Sequence, residues 1–116
     1  MKVTPIAVLL FAAVALPAAA QQYPIKPLRI IVPFAPGGAS DVIARLLAAK
    51  LTDSLGQTVV VDNRPGAGAN IGIGLAAKSA GDGYTLLVAS SAFTVNPTLY
   101  ANPPYDAMKD FQMVTC

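Results

Sequence analysis

Two short apolar runs constrain the fold of this chain more than any other feature. Residues 28–33 read Leu-Arg-Ile-Ile-Val-Pro, and residues 58–62 read Thr-Val-Val-Val-Asp. Short, β-branched and nearly continuous apolar runs are typical of strands buried on both faces of a parallel sheet. Between them, apolar residues recur at helical spacing, at Val42, Ile43, Leu46, Leu47, Leu51 and Leu55. The pattern predicts a β-α-β unit in which a helix over 42–55 packs this apolar stripe on the sheet.

The turn between the first run and the helix is rich in glycine. Residues 34–41 read Phe-Ala-Pro-Gly-Gly-Ala-Ser-Asp. The start of a helix presents unpaired N–H groups that favour an anion, and Gly37 and Gly38 put no side chain between backbone and ligand. We interpret this turn as half of a binding site for a small carboxylate. The alternative is an ordinary strand-to-helix connection with Ser40 or Asp41 as the helix N-cap.

The following residues continue the alternation of strands and helices. A glycine-rich connection (63–70) precedes a predicted helix (71–80), in which Gly72 and Gly74 would allow close packing against a neighbour. A third strand is predicted at 84–89, and residues 110–114 indicate the entry to another. Ser90 and Ser91 follow the third strand, where open α/β sheets bind ligands. These serines equally fit the capped start of a helix over 93–99.

The first twenty residues have the pattern of a secretory signal peptide. Lys2 forms a basic start, residues 6–16 are apolar, and Ala18-Ala19-Ala20 fits the small-x-small cleavage rule. We predict cleavage after Ala20 and export to a bacterial periplasm. The alternative is an uncleaved membrane anchor. Residues 21–116 then have the size of one small domain.

Composition restricts the function classes. The chain has no histidine, and its one cysteine is Cys116. Ser-His-Asp and Cys-His triads and histidine-ligated zinc sites are therefore excluded within this chain, and we expect no metal, no cofactor and no catalysis. Without Lys2, the chain has seven Lys and Arg residues and six Asp residues, and the basic residues do not form a cluster. Nucleic acid is therefore not an expected partner.

Several stretches together carry a family resemblance over nearly all of residues 21–116. They are 23–38 with Asp41 and Ala44-Arg45, then Gly-Gln-x-Val-Val-Val-x-Asn-Arg-Pro-Gly-Ala-Gly at 56–68, Asp-Gly-Tyr-Thr-Leu-Leu at 82–87, Asn96-Pro97, Pro104-Tyr105-Asp106 and Asp110-Phe111. In order and spacing, the chain resembles the Bug-type extracytoplasmic solute receptors, the substrate-binding proteins of tripartite tricarboxylate transporters.

The resemblance implies an α/β fold of the type II periplasmic-binding-protein kind. Such a protein has two lobes, each with a parallel-rich sheet flanked by helices, and residues 21–116 would supply only part of the first lobe. The resemblance also implies ligand-binding residues, here Phe34, Ala35, Gly37, Gly38, Ala39 and Asp41, followed by Ser90 and Ser91. Because the Asp41 carboxylate would repel an anion, we assign it to capping the turn and ordering water rather than to direct contact.

The function implied is that of a periplasmic receptor, a monomer at full length. It would bind a small carboxylate, whether a dicarboxylate, an amino acid or an aromatic acid, and deliver it to the membrane permease subunits of a transporter. Two alternatives remain open at this stage. One is an exported α/β enzyme that acts on a small carboxylate, and the other is a truncated remnant that does not bind.

Overall fold

A computed structural model describes residues 22–115. The predicted signal peptide (1–20) and Cys116 lie outside the described residues. The strands are β1 (Leu28–Val32), β2 (Val59–Asn63) and β3 (Thr85–Leu87), and the helices are α1 (Ala39–Leu55), α2 (Asn70–Ala77) and α3 (Ser91–Leu99), with a 3₁₀ turn at Ala67–Ala69. Both strand pairings are parallel, and the sheet order is β2-β1-β3. The predicted α/β class with a parallel sheet flanked by helices is thus confirmed.

The central strand β1 is the most deeply buried element. Ile30, Ile31 and Val32 are fully buried, as expected for a strand covered on both faces. On one face, alternate residues of β1 pack against α1. On the other face, a second cluster gathers around Ile73 of α2 and Tyr105. Of the helices in the described part of the chain, none is both long and apolar enough to cross a bilayer.

Helix α1 lies on the sheet by a different face from the one predicted. Its large aliphatic residues are exposed over 41–66% of their surface, namely Val42, Ile43, Leu46 and Leu47. The buried positions are Asp41, Ala44 and Ala48, and Leu51 and Leu55 are partly buried on the same face. These five positions also follow helical spacing, so the helix had two candidate faces. The stripe prediction was therefore wrong at its N-terminal end.

The cause of this rotation lies in the first turn of the helix. Asp41 is only 3% exposed, and its carboxylate bonds to groups on the preceding loop and on β2. These bonds require Asp41 to point at the sheet, which brings Ala44 and Ala48 inward with it. In the described chain, the buried side of α1 is thus the side with the Asp41 network and not the side with the larger aliphatic side chains.

Several predicted boundaries differ from the structure. Helix α1 begins at Ala39 rather than at 42, α2 ends at Ala77 rather than at 80, and β3 is shorter than the predicted 84–89. Residues 111–115 are irregular, so the strand predicted at 110–114 is absent from the described chain. Phe111 instead packs edge-on against Phe93 and Tyr105, within the second core cluster.

The close packing predicted for the small residues of α2 is confirmed. A Cβ atom on Gly72 would lie 2.7 Å from the carbonyl oxygen of Arg64 and 2.7 Å from Cβ of Pro33. On Gly74 it would lie 3.0 Å from the Pro104 ring. Contacts below 3.0 Å do not occur in a relaxed structure. The absence of side chains thus lets α2 rest directly on the backbone that follows β1 and β2.

Candidate ligand-binding site

The carboxyl ends of the three parallel strands meet at one edge of the sheet. The glycine-rich loop 34–38 follows β1, the connection 64–66 follows β2, and residues 88–90 follow β3. Pairing continues slightly past the strands, since Val88 N–H donates to Ile31 O (3.0 Å) and Arg64 N–H to Val32 O (2.8 Å). The predicted site residues of the 34–41 turn and Ser90 with Ser91 therefore follow adjacent strands at the same edge.

In the 34–38 loop, the backbone before α1 is open to solvent. Ala35, Gly37, Gly38 and Ala39 are exposed, whereas Phe34 is half-buried and packs against both cores. The N-cap residue of α1 is Gly38, and no side chain caps it. The first N–H groups of a helix have no acceptor within the helix, so they face solvent here.

Neither residue of the alternative interpretation is the N-cap. The N-cap is Gly38 and the helix begins at Ala39, so Ser40 is the second residue of α1 and Asp41 the third. The Asp41 carboxylate nevertheless reaches back and accepts a hydrogen bond from Gly37 N–H (2.9 Å). This bond agrees with the capping role expected for Asp41, while its role in ordering water stays a prediction.

The two adjacent glycines are present for different reasons. Gly37 has φ +86°, a left-handed conformation that costs other residues free energy. Gly38 has φ −80° and ψ 172°, an extended conformation open to any residue. A Cβ atom on Gly38 would have its nearest contact, Ala35 O, at 3.7 Å. The fold itself therefore needs glycine at 37 and tolerates a side chain at 38.

Asp41 is the centre of a network that connects the loop to two elements. Its Oδ2 accepts from Gly37 N–H and from Nε of Arg45 (3.0 Å), and its Oδ1 accepts from Nδ2 of Asn63 (2.9 Å). Asn63 Nδ2 also donates to the Phe34 carbonyl (3.2 Å), and Asn63 Oδ1 accepts from Arg45 (3.3 Å). The loop is thus bonded to α1 and to the end of β2 at once.

The electrostatics of this network keep Asp41 ionised. Hydrogen bonds from Arg45, Gly37 and Asn63 to the carboxylate lower the pKa of Asp41 to about 2. Arg45 forms an ion pair with it one helical turn away, and the Arg45 side chain is 55% exposed. The negative charge that would repel a bound anion is therefore turned inward and paired.

A second ionic cluster joins β1, β2 and the connection that follows β2. Asp62 bonds to Nε of Arg29 (2.7 Å) and to Nε of Arg64 (2.9 Å). Burial alone would raise the pKa of Asp62, but hydrogen bonds from the two arginines outweigh it and lower the pKa. The cluster borders a shallow, open groove that also includes Val60 and Val61.

The serines after β3 follow the helix-capping interpretation. Ser90 is the N-cap of α3, and its hydroxyl oxygen accepts from Ala92 N–H at 3.3 Å. Ser91 is exposed and is the first residue of the helix. The structure thus places both serines at the predicted edge of the sheet and gives Ser90 a structural bond. Contact of either one with a ligand stays a prediction.

Sequence reasoning gave no separate role to Asn63 or to Arg45. A signal for Asn63 was present, since it directly follows the apolar run of the second strand. In the parallel pairing of β1 and β2, Asn63 lies opposite Val32, next to the start of the 34–38 loop. A polar residue at the carboxyl end of the neighbouring strand is therefore a candidate support for that loop.

The second glycine connection is also held in place by side chains. Asn96, which is 5% exposed, donates to Gly68 O (2.7 Å) and to Oδ1 of Asn70 (2.9 Å). Ala67 and Ala69 both have positive φ in this segment, which non-glycine residues adopt only when their surroundings impose it.

Within residues 22–115, no group of metal-binding side chains is present.

The comparisons with known proteins identify the family. Residues 43–116 match the family described as tripartite tricarboxylate transporter family receptor. The chain belongs to this receptor family. It is 51% identical to the protein BugT of Bordetella pertussis over 106 residues, which is 90% of this chain and 32% of BugT. The resemblance noted in the sequence is thus confirmed.

Solved structures of similar proteins support the same assignment. This member of the family is similar to the periplasmic binding protein BugD, with a TM-score of 0.74 and 44% identity over 77% of this chain and 30% of BugD. An R. palustris protein solved with adipate gives 0.71 and 36%, with 75% and 29% covered. The protein MatC of Rhodopseudomonas palustris, solved with malate, gives 0.59 and 34%, with 71% and 29% covered. The chain spans about a third of the length of such relatives.

Proposed function

We propose that this chain is part of a periplasmic receptor that binds a small dicarboxylate through the 34–41 turn. The observation that carries the proposal is the pair Gly37 and Gly38 at the exposed start of α1. Gly37 is explained by its backbone conformation, but Gly38 is not, because its φ is −80° and a Cβ atom would fit. A glycine that the fold does not need, beside open N–H donors, leaves room for a ligand.

The chemistry of the turn suits a carboxylate. A carboxylate only accepts hydrogen bonds, and the N–H groups of Gly38, Ala39 and Ser40 are donors without an acceptor inside α1. The partial positive charge of a helix start favours the anion further. Asp41 does not oppose binding, since its side chain is 5% exposed and paired with Arg45.

Relatives support the ligand class. One similar structure was solved with adipate and another with malate, and both are dicarboxylates. One carboxylate would lie at the 34–41 turn, with Ser91 and Ser90 as the next polar groups at this edge. Membership of a receptor family and the absence of histidine favour binding without turnover. Delivery to a membrane permease is the remaining part of the proposal.

We further propose that residues 22–115 form part of the first of two lobes. The chain spans 29–32% of its relatives, and α1 presents four large aliphatic side chains to solvent, Val42, Ile43, Leu46 and Leu47. An exposed apolar stripe of this kind is typical of a face that is covered in the complete protein. Export would follow from the predicted signal peptide, with cleavage after Ala20.

A mass measurement followed by a titration tests these proposals. The intact mass of the protein from a periplasmic fraction shows whether it begins at Gln21 and how far it extends. That same protein is then titrated with adipate and malate by calorimetry, with neutral adipamide as the matched control. We expect saturable binding of at least one acid, no binding of the amide, and no product by mass spectrometry. Equal binding of acid and amide would refute carboxylate recognition, and turnover would refute the receptor.

A further inference from the structure

Asn63 has an unusual position between the ligand loop and the helix behind it. Its Nδ2 donates both to the Phe34 carbonyl at 3.2 Å and to Asp41 Oδ1 at 2.9 Å. Both partners are pure acceptors, so the orientation of the amide is fixed by them. Its Oδ1 accepts from Arg45 at 3.3 Å. Every hydrogen-bonding group of this amide is therefore engaged by the loop or by the first turns of α1.

The consequence concerns which donors remain for a ligand. Asp41 accepts a hydrogen bond from the Gly37 N–H at 2.9 Å, so this donor is directed at the Asp41 carboxylate and not at solvent. The next N–H groups, from Gly38 onward, have no such partner on a side chain. How these groups point depends on where the loop backbone is held, and Asn63 holds it from β2 through Phe34.

We propose that Asn63 is a positioning residue for carboxylate binding. It fixes the loop at Phe34 and, through Asp41, holds Gly37 N–H away from the ligand while the N–H groups of the first turn of α1 stay open. This inference rests on the proposed function, because it assigns the residue that sets the geometry of that same turn. Asn63 does not itself touch the ligand.

A charge-neutral exchange separates geometry from electrostatics. Asn63→Asp places two carboxylates against each other and adds a negative charge near the site. The double variant D41N/N63D restores the donor–acceptor pair with its direction reversed and leaves the net charge of the wild type. It leaves the Phe34 carbonyl without its donor, since the carboxylate introduced by N63D only accepts hydrogen bonds. Asn63→Ala removes all three bonds, and Asn102→Ala, at an exposed loop position, is the matched control.

Two readouts are needed, with the protein whose intact mass has been established. Calorimetry gives the affinity for adipate and malate, and hydrogen exchange at the Gly37 amide reports on its bond to Asp41 without any ligand. We expect N63A to bind at least tenfold more weakly and to exchange the Gly37 amide at least tenfold faster. Affinity should fall in the order wild type, D41N/N63D, N63A, N63D, with N102A equal to wild type.

The outcomes that refute the inference are distinct from those that refute the function. Wild-type affinity in N63A refutes it, as does weakened binding with unchanged Gly37 exchange, and so does a double variant that binds no better than N63D. If urea unfolding shows that N63A loses affinity only in proportion to its unfolded fraction, the role is merely structural. If the wild type binds neither adipate nor malate, the proposed function is refuted. The positioning role is refuted separately if the Gly37 amide exchanges at the same rate in N63A as in the wild type.

Discussion

The contact between α2 and the backbone around the site can be tested by a single methyl group. Gly72→Ala would place a Cβ atom 2.7 Å from the Arg64 carbonyl oxygen and 2.7–2.8 Å from two atoms of Pro33. An ordinary contact needs about 3.4 Å or more, so α2 would have to retreat by roughly 0.7 Å. Backbone and proline atoms cannot rotate aside as a flexible side chain would.

The expected cost follows from two opposing effects. Overpacking a tight site costs about 1–3 kcal/mol, and replacing glycine by alanine inside a helix returns up to about 1 kcal/mol. Because the clash is with backbone and proline atoms, the upper part of the overpacking range applies, about 2–3 kcal/mol. We therefore expect Gly72→Ala to lower the free energy of unfolding by about 1–2 kcal/mol. For a domain of this size, the melting temperature would fall by about 4–8 °C for each kcal/mol.

The assay is urea unfolding followed by circular dichroism, with Gly81→Ala as the matched control. Gly81 is exposed, and a Cβ atom there would meet nothing within 4 Å. The control should be as stable as the wild type, or slightly more stable because the unfolded chain loses freedom. Equal stability of the two variants would show that α2 does not rest on Pro33 and Arg64 as described.

Three further predictions concern the loop and the core. Gly37→Ala should lower the free energy of unfolding by about 1 kcal/mol, because residue 37 has a positive φ. Gly38→Ala should leave the free energy of unfolding unchanged and weaken the binding of adipate or malate in a calorimetric titration. Unchanged affinity in Gly38→Ala would contradict the proposed site. Asp41→Asn should make the free energy of unfolding depend less on pH below pH 3.8. The pKa of Asp41 is lowered to about 2, so its stabilising effect is complete above its ordinary pKa of 3.8 and is lost as the pH falls through about 2. Urea midpoints that coincide for variant and wild type between those two pH values would refute this prediction. Ile30→Ala, at a fully buried position, should cost about 2–5 kcal/mol by urea unfolding, against less than about 1 kcal/mol for Val60→Ala, which is half exposed; similar costs would contradict the burial of β1.

The order of elements from β1 to α3 could be predicted from the sequence, whereas the strand predicted at 110–114 is absent from the described chain. Apolar runs of the right length predicted β1 and β2, and the glycine turn predicted the start of α1 within three residues. Gly56 ends that helix, with φ +66° and its N–H bonded to Thr52 O at 3.0 Å. These features depend on neighbouring residues, so a local pattern records them.

The buried face of α1 could not be predicted in the same way. Large aliphatic residues outweigh alanine in any count of hydrophobicity, yet Ala44 and Ala48 are buried while Leu46 is 66% exposed. What decides the face is Asp41, whose partner Asn63 is 22 residues away in sequence. A hydrogen bond between residues far apart in sequence does not produce a periodic pattern. Asn63 could be identified as a candidate only from its expected position opposite Val32 in a parallel strand pair.

The alanine face of α1 also has a consequence for how binding strength can change. Ala44 is completely buried and Ala48 is 6% exposed, so the helix axis lies as near to the sheet as methyl groups permit. A larger residue at either position would raise the helix and carry its first turn, with its N–H donors, away from the edge of β1. Under the function proposed above, affinity would therefore depend on the thickness of a buried layer that the ligand does not contact.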